Sequence, residues 1–312
     1  MTAHPFENGG QVLPPTGNTK ALAWFSCGVT STVAIKIALS FYEEVRIFYF
    51  DTGQVHSDNK RFLKEAQEWF GQEIITLKSK KYDSPLDVIQ KRRFINGPSG
   101  ALCTFELKKK LRLDVQDTLE NLDEWDQIFG FETSKREVNR AIRFAEQYPD
   151  THPVFPLIEK GLTKANSLAA LEMAGIESPA MYKLGYHNNN CLGCVKGGMG
   201  YWNKVRVDFP EIFEQTAAQE RRLGRTCLRK KKEPLYLDEL DPEAGRHSGE
   251  IMAQCGVICQ VEFVDLESPR LPDFFTAEDL LEGLNPCPAC CWKRTPEGCY
   301  RCGGTGKRKV EV

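Results

Sequence analysis

The chain has 312 residues, of which 41% are apolar, and its 41 basic side chains nearly balance 43 acidic ones, for a net charge of −2. This length and composition suffice for one large α/β domain with an appendage, and the charge excludes a global electrostatic attraction to nucleic acid or membrane. No apolar run reaches the length of a membrane span, and the N-terminus lacks a signal-peptide core, so we expect a cytoplasmic protein without a membrane partner. In a reducing compartment, 12 cysteines indicate metal binding rather than disulfides.

Composition divides the chain into four parts. Residues 1–18 are rich in Pro, Gly and Asn and are expected to form a mobile arm. Residues 19–224 alternate predicted strands and helices and make up the main domain. Residues 225–280 are polar and charged at first and are expected to be a linker or accessory segment. Residues 281–312 are expected to be a small metal-binding module.

The first predicted strand and helix enclose a polar bend. Residues 21–25 are apolar and aromatic, which predicts a buried strand, and residues 32–41 are apolar at helical spacing. Such a bend directs backbone N–H groups and the positive end of a helix at one place, which favours the binding of a phosphate there. The alternative is a purely structural turn. The candidate phosphate-binding residues are Ser26, Cys27, Gly28, Thr30 and Ser31.

A second polar loop follows the next predicted strand, at residues 45–50. A helix over residues 60–70 and a strand over residues 74–77 continue the alternation, which predicts a parallel sheet with right-handed crossovers. Because ligands of such sheets bind beyond the carboxyl ends of the strands, we expect the two loops to share one edge. The second loop consists of Asp51, Thr52 and Gly53.

The segment at residues 92–112 joins a cysteine, Cys103, to many cations. A glycine- and serine-containing loop leads to Cys103, and a basic helix is predicted after it. Its cations either form a lip that binds an anion or belong to a solvated helix face. They are Arg92, Arg93, Lys108, Lys109, Lys110 and Arg112.

Further elements complete the predicted domain. Residues 125–131 predict a strand, and residues 134–146 predict a helix that carries Glu137 and Arg140 on one face, where they can form an ion pair. Thr163 is expected to cap the helix that follows it.

A glycine- and asparagine-rich stretch contains Cys191 and Cys194. Two thiols in a tight CxxC turn are typical of a metal or iron–sulfur knuckle, and His187 is an alternative ligand beside them. The asparagines at 188–190 are expected to cap turns rather than to contact substrate. Trp202 is expected to belong to the core.

The tail contains two CxxC pairs separated by eight residues. Four thiolates at this spacing predict a tetrahedral zinc site, and the metal must supply the folding energy of a segment too short for a core. Zinc knuckles often contact nucleic acid, which makes nucleic acid an expected partner. The predicted zinc ligands are Cys287, Cys290, Cys299 and Cys302.

Five motifs of the main domain occur in a recognisable order. They are the bend at 26–31, the loop Asp51-Thr52-Gly53, the segment from Cys103-Thr104 to Lys108, the pair Glu137 and Arg140, and the stretch from Gly185-Tyr186 to Cys191 and Cys194. Together they resemble the phosphoadenosine phosphosulfate (PAPS) and adenosine phosphosulfate (APS) reductase family. That family shares the adenine nucleotide α-hydrolase fold with ATP-pyrophosphatases that insert sulfur into nucleic acid.

The resemblance implies a doubly wound, mostly parallel α/β sheet of Rossmann-like order. It implies an adenine nucleotide (PAPS, APS or ATP) as ligand and a 4Fe–4S cluster as cofactor. The residues implied are Ser26, Gly28 and Ser31 in the phosphate loop, Asp51 and Gly53 on the adenosine side, Arg140 as an anion contact, and Cys103, Cys191 and Cys194 as cluster ligands.

The chain departs from the family at three places. Leu102 replaces the first cysteine of an adjacent pair, which leaves three cluster ligands and an open iron, as in cluster-dependent thiolation enzymes of the same fold. Thr30 stands where ATP-pyrophosphatases carry an aspartate, which favours a sulfonucleotide over Mg-ATP. The C-terminal nucleophile motif of the reductases is absent.

Three functions are compatible with these patterns. The first is a sulfonucleotide reductase that uses a thioredoxin-like reductant, with Cys255 or Cys227 as nucleophile and Arg92, Arg93 and Lys108 holding the sulfate. The second is a nucleotide-dependent, iron–sulfur sulfur transferase that acts on nucleic acid or a small molecule. The third is a non-catalytic, zinc-stabilised protein that binds nucleotides.

Overall fold

The computed structural model describes residues 16–97, 100–245, 284–286 and 307–309. In this part of the chain, strands and helices alternate, as predicted. The strands are β1 Lys20–Phe25, β2 Glu44–Asp51, β3 Ile74–Lys78, β4 Asn96–Gly97, β5 Gly100–Ala101, β6 Trp125–Ile128, β7 Pro153–Val154, β8 Leu228–Lys230, β9 Glu233–Leu235, β10 Leu284–Pro286 and β11 Lys307–Lys309. The helices are α1 Val29–Ala38, α2 Asn59–Phe70, α3 Pro85–Arg92, α4 Leu102–Thr104, α5 Lys110–Gln116, α6 Lys135–Gln147, α7 Pro156–Glu159, α8 Lys164–Met173, α9 Ala180–Lys183, α10 Met199–Asp208 and α11 Pro210–Leu223.

Five strands form one parallel sheet in the order β3-β2-β1-β6-β7. Because the chain runs from β1 to β2 on one side and reaches β6 on the other, the strand order reverses between β1 and β6. At such a switch point the loops diverge and leave a crevice beyond the carboxyl ends of the strands. The structure thus confirms the predicted parallel α/β architecture and places the bend after β1 at the crevice.

Both faces of the sheet are covered, since successive residues of β1 alternate between two cores. Ala23 and Phe25 pack on one face with α1, α2, α7 and α8. Leu22 and Trp24 pack on the other face with Phe48 and with the end of α5. This explains why β1 is an uninterrupted apolar run without polar alternation.

Two element boundaries differ from the predicted ones. Helix α1 begins at Val29, three residues earlier than predicted, so Thr30 and Ser31 lie in its first turn rather than in the loop. Strand β6 ends at Ile128, three residues before the predicted end at Phe131, although the Phe129 N–H still donates to the Val154 carbonyl at 3.0 Å. The predicted cap at Thr163 is confirmed, with a reciprocal capping box to Asn166.

Residues 225–245 differ from the predicted linker. Leu228, Leu237 and Leu240 are buried in a second core cluster with Trp202 and Phe213 of α10 and α11. The hairpin β8–β9 is therefore part of the packing of the α/β unit. Trp202, fully buried, is a core residue as predicted.

Several predictions fall outside the described residues. These concern the N-terminal arm up to residue 15, Cys255 and the four predicted zinc ligands. The antiparallel pairing of β10 with β11 sets Pro286 opposite Lys307, the residues that flank the two CxxC pairs. None of the helices in the described ranges has the length and hydrophobicity required to cross a membrane.

Candidate functional site

The bend after β1 is braced by its own hydroxyl groups. The Ser31 hydroxyl oxygen accepts a hydrogen bond from the Ser26 N–H at 3.2 Å and lies 2.9 Å from the Ser26 hydroxyl. The Ser31 hydroxyl also lies 2.9 Å from the carbonyl of Gly28, the residue that precedes α1. These contacts hold the first turn of α1, with its N–H groups that lack intrahelical partners, directly above the end of β1.

Part of the bend is covered by a tyrosine that the sequence patterns did not indicate. The Tyr182 hydroxyl accepts hydrogen bonds from the backbone N–H groups of Val29 and Asn189, and burial raises the pKa of Tyr182 to about 12. A side chain at Gly28 would meet this hydroxyl at 3.1 Å. As a result Gly28 and Val29 are buried, whereas Ser26 is exposed and Thr30 is partly exposed.

Cys27 does not face solvent, although the sequence placed it among the candidate binding residues. It adopts a left-handed backbone conformation (φ 57°), and its Sγ lies 3.8 Å from the Asn59 carbonyl. Burial raises the pKa of the Cys27 thiol well above its usual range. The side chain therefore serves the packing of the bend.

Asn189 ties the bend to helix α2. Its side-chain amide donates to the Cys27 carbonyl at 2.6 Å and to Asn59 Oδ1 at 2.8 Å, and the residue is buried. Asn189 thus braces the candidate phosphate-binding bend from a distant segment, which differs from the expected role of capping a local turn.

The variant Asn189→Asp should destabilise the protein by about 2–4 kcal/mol, because a carboxylate oxygen would replace the donor that faces the Cys27 carbonyl. Asn188→Asp is the matched control, since exposed Asn188 accepts from Lys164 Nζ at 2.9 Å and a carboxylate preserves that contact. Its effect should stay within about 0.5 kcal/mol. Urea unfolding of the two variants measures the difference, and equal losses would contradict this role of Asn189.

The loop after β2 lies beside the bend, because β1 and β2 are parallel neighbours. Asp51 Oδ1 accepts the Gly53 N–H at 2.8 Å, which closes the loop. The Thr52 hydroxyl lies 3.0 Å from the Cys191 thiol. The two loops share one edge of the sheet, as predicted, and the second of them contacts the cysteine turn.

The turn at residues 191–194 is held from two sides. Gln54 and Leu192 exchange two hydrogen bonds, from the Leu192 N–H to the Gln54 carbonyl at 2.8 Å and from Gln54 Nε2 to the Leu192 carbonyl at 2.6 Å. The Tyr201 hydroxyl accepts the Cys194 N–H at 2.8 Å. Neither Gln54 nor Tyr201 was indicated by a sequence motif.

The structure brings the two thiols of this turn together with those of Cys103 and Cys227. Burial and, more weakly, the thiols of Cys191 and Cys194 raise the pKa of Cys103 to about 11. Burial also raises the pKa of Cys194, with a smaller contribution from Cys191. Within the described ranges, no group of three or more His, Cys, Asp and Glu side chains is arranged to hold a single metal ion.

Cys227, predicted as a candidate nucleophile, is placed unfavourably for that role. The thiol is partly buried, and burial, the Glu220 carboxylate and the thiols of Cys194 and Cys103 raise its pKa. A thiol that stays protonated near neutral pH is a weak nucleophile.

The cations of the predicted lip point to different partners. Arg92 lies 3.6 Å from Glu106, Lys109 Nζ bonds the Tyr148 hydroxyl at 2.6 Å, and buried Arg112 stacks at 5.2 Å from the Phe144 ring centroid. They do not converge as one lip.

Two lysines, by contrast, lie near the thiols. Lys108 lowers the pKa of Cys194, and Lys196, which sequence reasoning missed, acts in the same direction on both Cys194 and Cys103. Arg93 is exposed at the left-handed end of α3, and Lys110 is exposed on α5.

Arg140 forms the expected ion pair with Glu137, at 3.2 Å, and its guanidinium lies 4.4 Å from the Phe131 ring centroid. Both contacts hold it on the surface of α6. The Phe131 contact places its head group beside the segment that follows β6.

A cleft of about 540 Å³ is lined by Asn188 and Asn190, the neighbours of the residue that bonds the bend, Asn189. This volume lies in the range of about 300–1,000 Å³ that small-molecule sites occupy. The predicted alternative metal ligand His187 lines this cleft, while its carbonyl accepts from Lys164 Nζ at 2.8 Å. The polar lining consists of Arg136, His187, Asn188, Asn190 and the start of α10 at Gly198–Gly200.

Glycine is required where the crevice is narrowest. A β-carbon at Gly130, which follows β6, would lie 2.5 Å from Ser31 Cα and 2.6 Å from Ser31 N. The loop after β6 thus presses its backbone against the first turn of α1, and this contact forms the wall between the two loops at the switch point.

Comparison with protein-family models and with curated protein sequences found no match for the chain.

Proposed function

We propose that this protein binds an adenine nucleotide at the carboxyl edge of its sheet and carries out chemistry at sulfur, as a sulfonucleotide reductase does. One observation carries the proposal: the loop after β2, which neighbours the bend at the same edge of the sheet, contacts the cysteine turn through Thr52 and Cys191 at 3.0 Å. A nucleotide whose phosphates occupy the bend would therefore have its reactive end within reach of a sulfur centre.

The bend carries hydrogen-bond donors and positive potential, which are what a bound phosphate requires. The N–H groups of Thr30 and Ser31 in the first turn of α1 and the hydroxyls of Ser26 and Thr30 are donors without bulk, while the Val29 N–H is bound by Tyr182; the helix dipole adds positive potential. The neighbouring cleft adds Arg136 and the start of α10. These groups favour a negatively charged, nucleotide-sized ligand.

The donor set also fits a soft-metal centre, because it consists of thiols in a partly buried, apolar setting. An iron–sulfur cluster, when bound, supplies a redox-active centre whose properties the surrounding residues tune. Cys103, Cys191 and Cys194 would hold it. Lys108 and Lys196 offset negative charge there and also favour an approaching sulfate.

In the reductase reaction that the resemblance implies, a thiolate attacks the sulfur of the nucleotide's sulfate and the bond from sulfur to the phosphate oxygen breaks. The nucleoside phosphate leaves with that oxygen, and sulfonate remains on the thiol. A second thiol, from a thioredoxin-like protein, then releases sulfite as a disulfide forms. Cys255 is the candidate nucleophile that remains.

A sulfur transferase is the second candidate, because the three implied ligands Cys103, Cys191 and Cys194 would leave one iron open, and because Cys227 is placed unfavourably for a reductase nucleophile. Cys227 lies with the other three thiols rather than free at the edge of the cleft. Of the five described cysteines, Cys27 alone lies apart from this group, and none of the five is exposed.

Thr30→Glu tests the nucleotide site without weakening the fold. A carboxylate in the first turn of α1 is favourable for the helix dipole but repels a phosphate, so affinity for the bound nucleotide should fall at least about tenfold while thermal stability is kept. The matched control, Thr30→Gln, has similar size without charge and should retain affinity within about threefold. Calorimetric titration with APS, PAPS, ATP and AMP measures both.

The same titrations separate the candidate functions. Binding of APS or PAPS, with sulfite released in the presence of thioredoxin, supports the reductase. AMP released from ATP only when RNA is present supports the transferase. Binding without turnover leaves a non-catalytic nucleotide-binding protein, and no binding of any nucleotide by the wild-type chain would refute the proposal.

A further inference from the structure

We propose that Cys227 is the fourth protein ligand of an iron–sulfur cluster held by Cys103, Cys191 and Cys194. The family resemblance assigns three thiols and leaves one position open, because Leu102 stands where a cysteine would be. Cys227 comes from a different part of the fold, the strand-and-turn segment that follows α11. The inference refines the cofactor of the proposed function but does not depend on nucleotide binding.

The first argument is packing. Cys103 and Cys227 contact one small apolar cluster, whose buried members include Ala101 and Val195. Ala101 lies two residues before Cys103, and Val195 directly follows Cys194. Three segments that carry thiols therefore meet at a single apolar surface, which excludes water from the side of the group that faces the protein.

The second argument is the electrostatic contact among the thiols. Cys103 interacts with Cys191 and Cys194, and Cys227 interacts with Cys194 and Cys103. The Cys227 thiol is also hydrogen-bonded to the Glu220 carboxylate, and it would lose its proton on binding iron as a thiolate. In a cubane cluster each thiolate binds a different iron, so its ligands stand farther apart than the ligands of one metal ion.

The third argument is that the backbone of Cys227 is fixed as firmly as that of the 191–194 turn. The buried carboxylate of Glu220 accepts the N–H groups of Cys227 and, at 2.7 Å, of Leu237. The Thr226 hydroxyl donates to the Leu228 carbonyl at 2.8 Å. A chain segment between a helix and a hairpin is thereby held in one position against the apolar cluster, as a ligand-bearing segment must be.

Four thiolate ligands from the protein would limit which reactions a bound cluster can take part in. With Cys227 as a fourth ligand, no iron would stay open to a substrate or to transferred sulfide, so this inference counts against the sulfur transferase. The cluster would tune charge and potential beside the nucleotide rather than carry sulfur.

The test is iron and acid-labile sulfide analysis of the full chain, purified without oxygen. Wild-type protein should contain about four irons per chain. Cys227→Ser and Cys103→Ser should each lower iron to roughly half or less, because a hydroxyl is a poor ligand for iron in a cluster. Cys27→Ser is the control and should keep the wild-type value, since Cys27 packs against the Asn59 carbonyl instead.

Circular dichroism of the chelator-treated proteins separates ligand loss from misfolding, because apo Cys227→Ser should match apo wild type. A Cys227→Ser protein that keeps the iron content and absorption spectrum of wild type would overturn the inference, as would a wild type that contains zinc and no iron. Iron loss in Cys227→Ser together with unchanged nucleotide titrations supports it. Failure of nucleotide binding with iron present would refute only the proposed function.

Discussion

Replacing Gly53 by alanine is expected to lower the free energy of unfolding by about 3–5 kcal/mol. Gly53 has φ +72°, and a β-carbon there would lie 1.8 Å from the Asp83 carbonyl oxygen. The left-handed conformation alone costs alanine about 1–2 kcal/mol. The remainder comes from displacing backbone, which cannot rotate out of the way as a flexible side chain can.

Gly71→Ala is the control for this variant. Gly71 has φ +74°, almost the same as Gly53, but open space surrounds its β-carbon position. It should show the conformational cost alone, about 1–2 kcal/mol. The difference between the two variants in denaturant unfolding therefore isolates the contact with Asp83, and equal losses would show that this contact is absent in solution.

The Gly53 variant should also disturb the thiol group. Gly53 lies between Thr52, which contacts Cys191, and Gln54, which pairs with Leu192. A shift of this loop moves both anchors of the cysteine turn. We expect Gly53→Ala to bind less iron than Gly71→Ala in parallel anaerobic preparations.

Replacing Gly130 by alanine should have the largest effect on nucleotide binding, a loss of about a hundredfold or more. The β-carbon would lie 2.5–2.9 Å from backbone atoms of Ser31 and Thr30. Relief requires that the first turn of α1 move away from the loop after β6. The N–H groups that we propose for the phosphates would then lose their common direction.

Gly175→Ala is the control for Gly130→Ala, because Gly175 follows α8 and its β-carbon position is open. It carries a conformational cost (φ +71°) and should lower the melting temperature without changing nucleotide affinity. Calorimetric titration at a temperature where both variants are folded measures the affinities. If Gly130→Ala binds nucleotide as tightly as Gly175→Ala does, the bend is not the phosphate site.

The outcome for the cysteines shows what a linear pattern can and cannot reveal. The CxxC spacing identified Cys191 and Cys194 as a pair, since both are on one turn. Cys227 stands alone in the sequence, and its proximity to Cys103 depends on the packing of α11 against α3. The same holds for the cations, because adjacency suggested one lip. Arg92 ends α3, whereas Lys109 and Arg112 lie on a separate helical segment that includes a π turn at Phe105–Lys109, and the three have different partners.

Local patterns sufficed to predict the alternating strands and helices, the parallel sheet and the bend after β1, because burial on both faces and helical periodicity are properties of neighbouring residues. They did not reveal what holds the bend and the cysteine turn in place. Asn189 bonds residues 162 and 130 positions away, and Thr52 meets Cys191 across 139 positions. Such contacts form only when the chain is folded, because each joins loops whose approach is set by the order of the strands in the sheet.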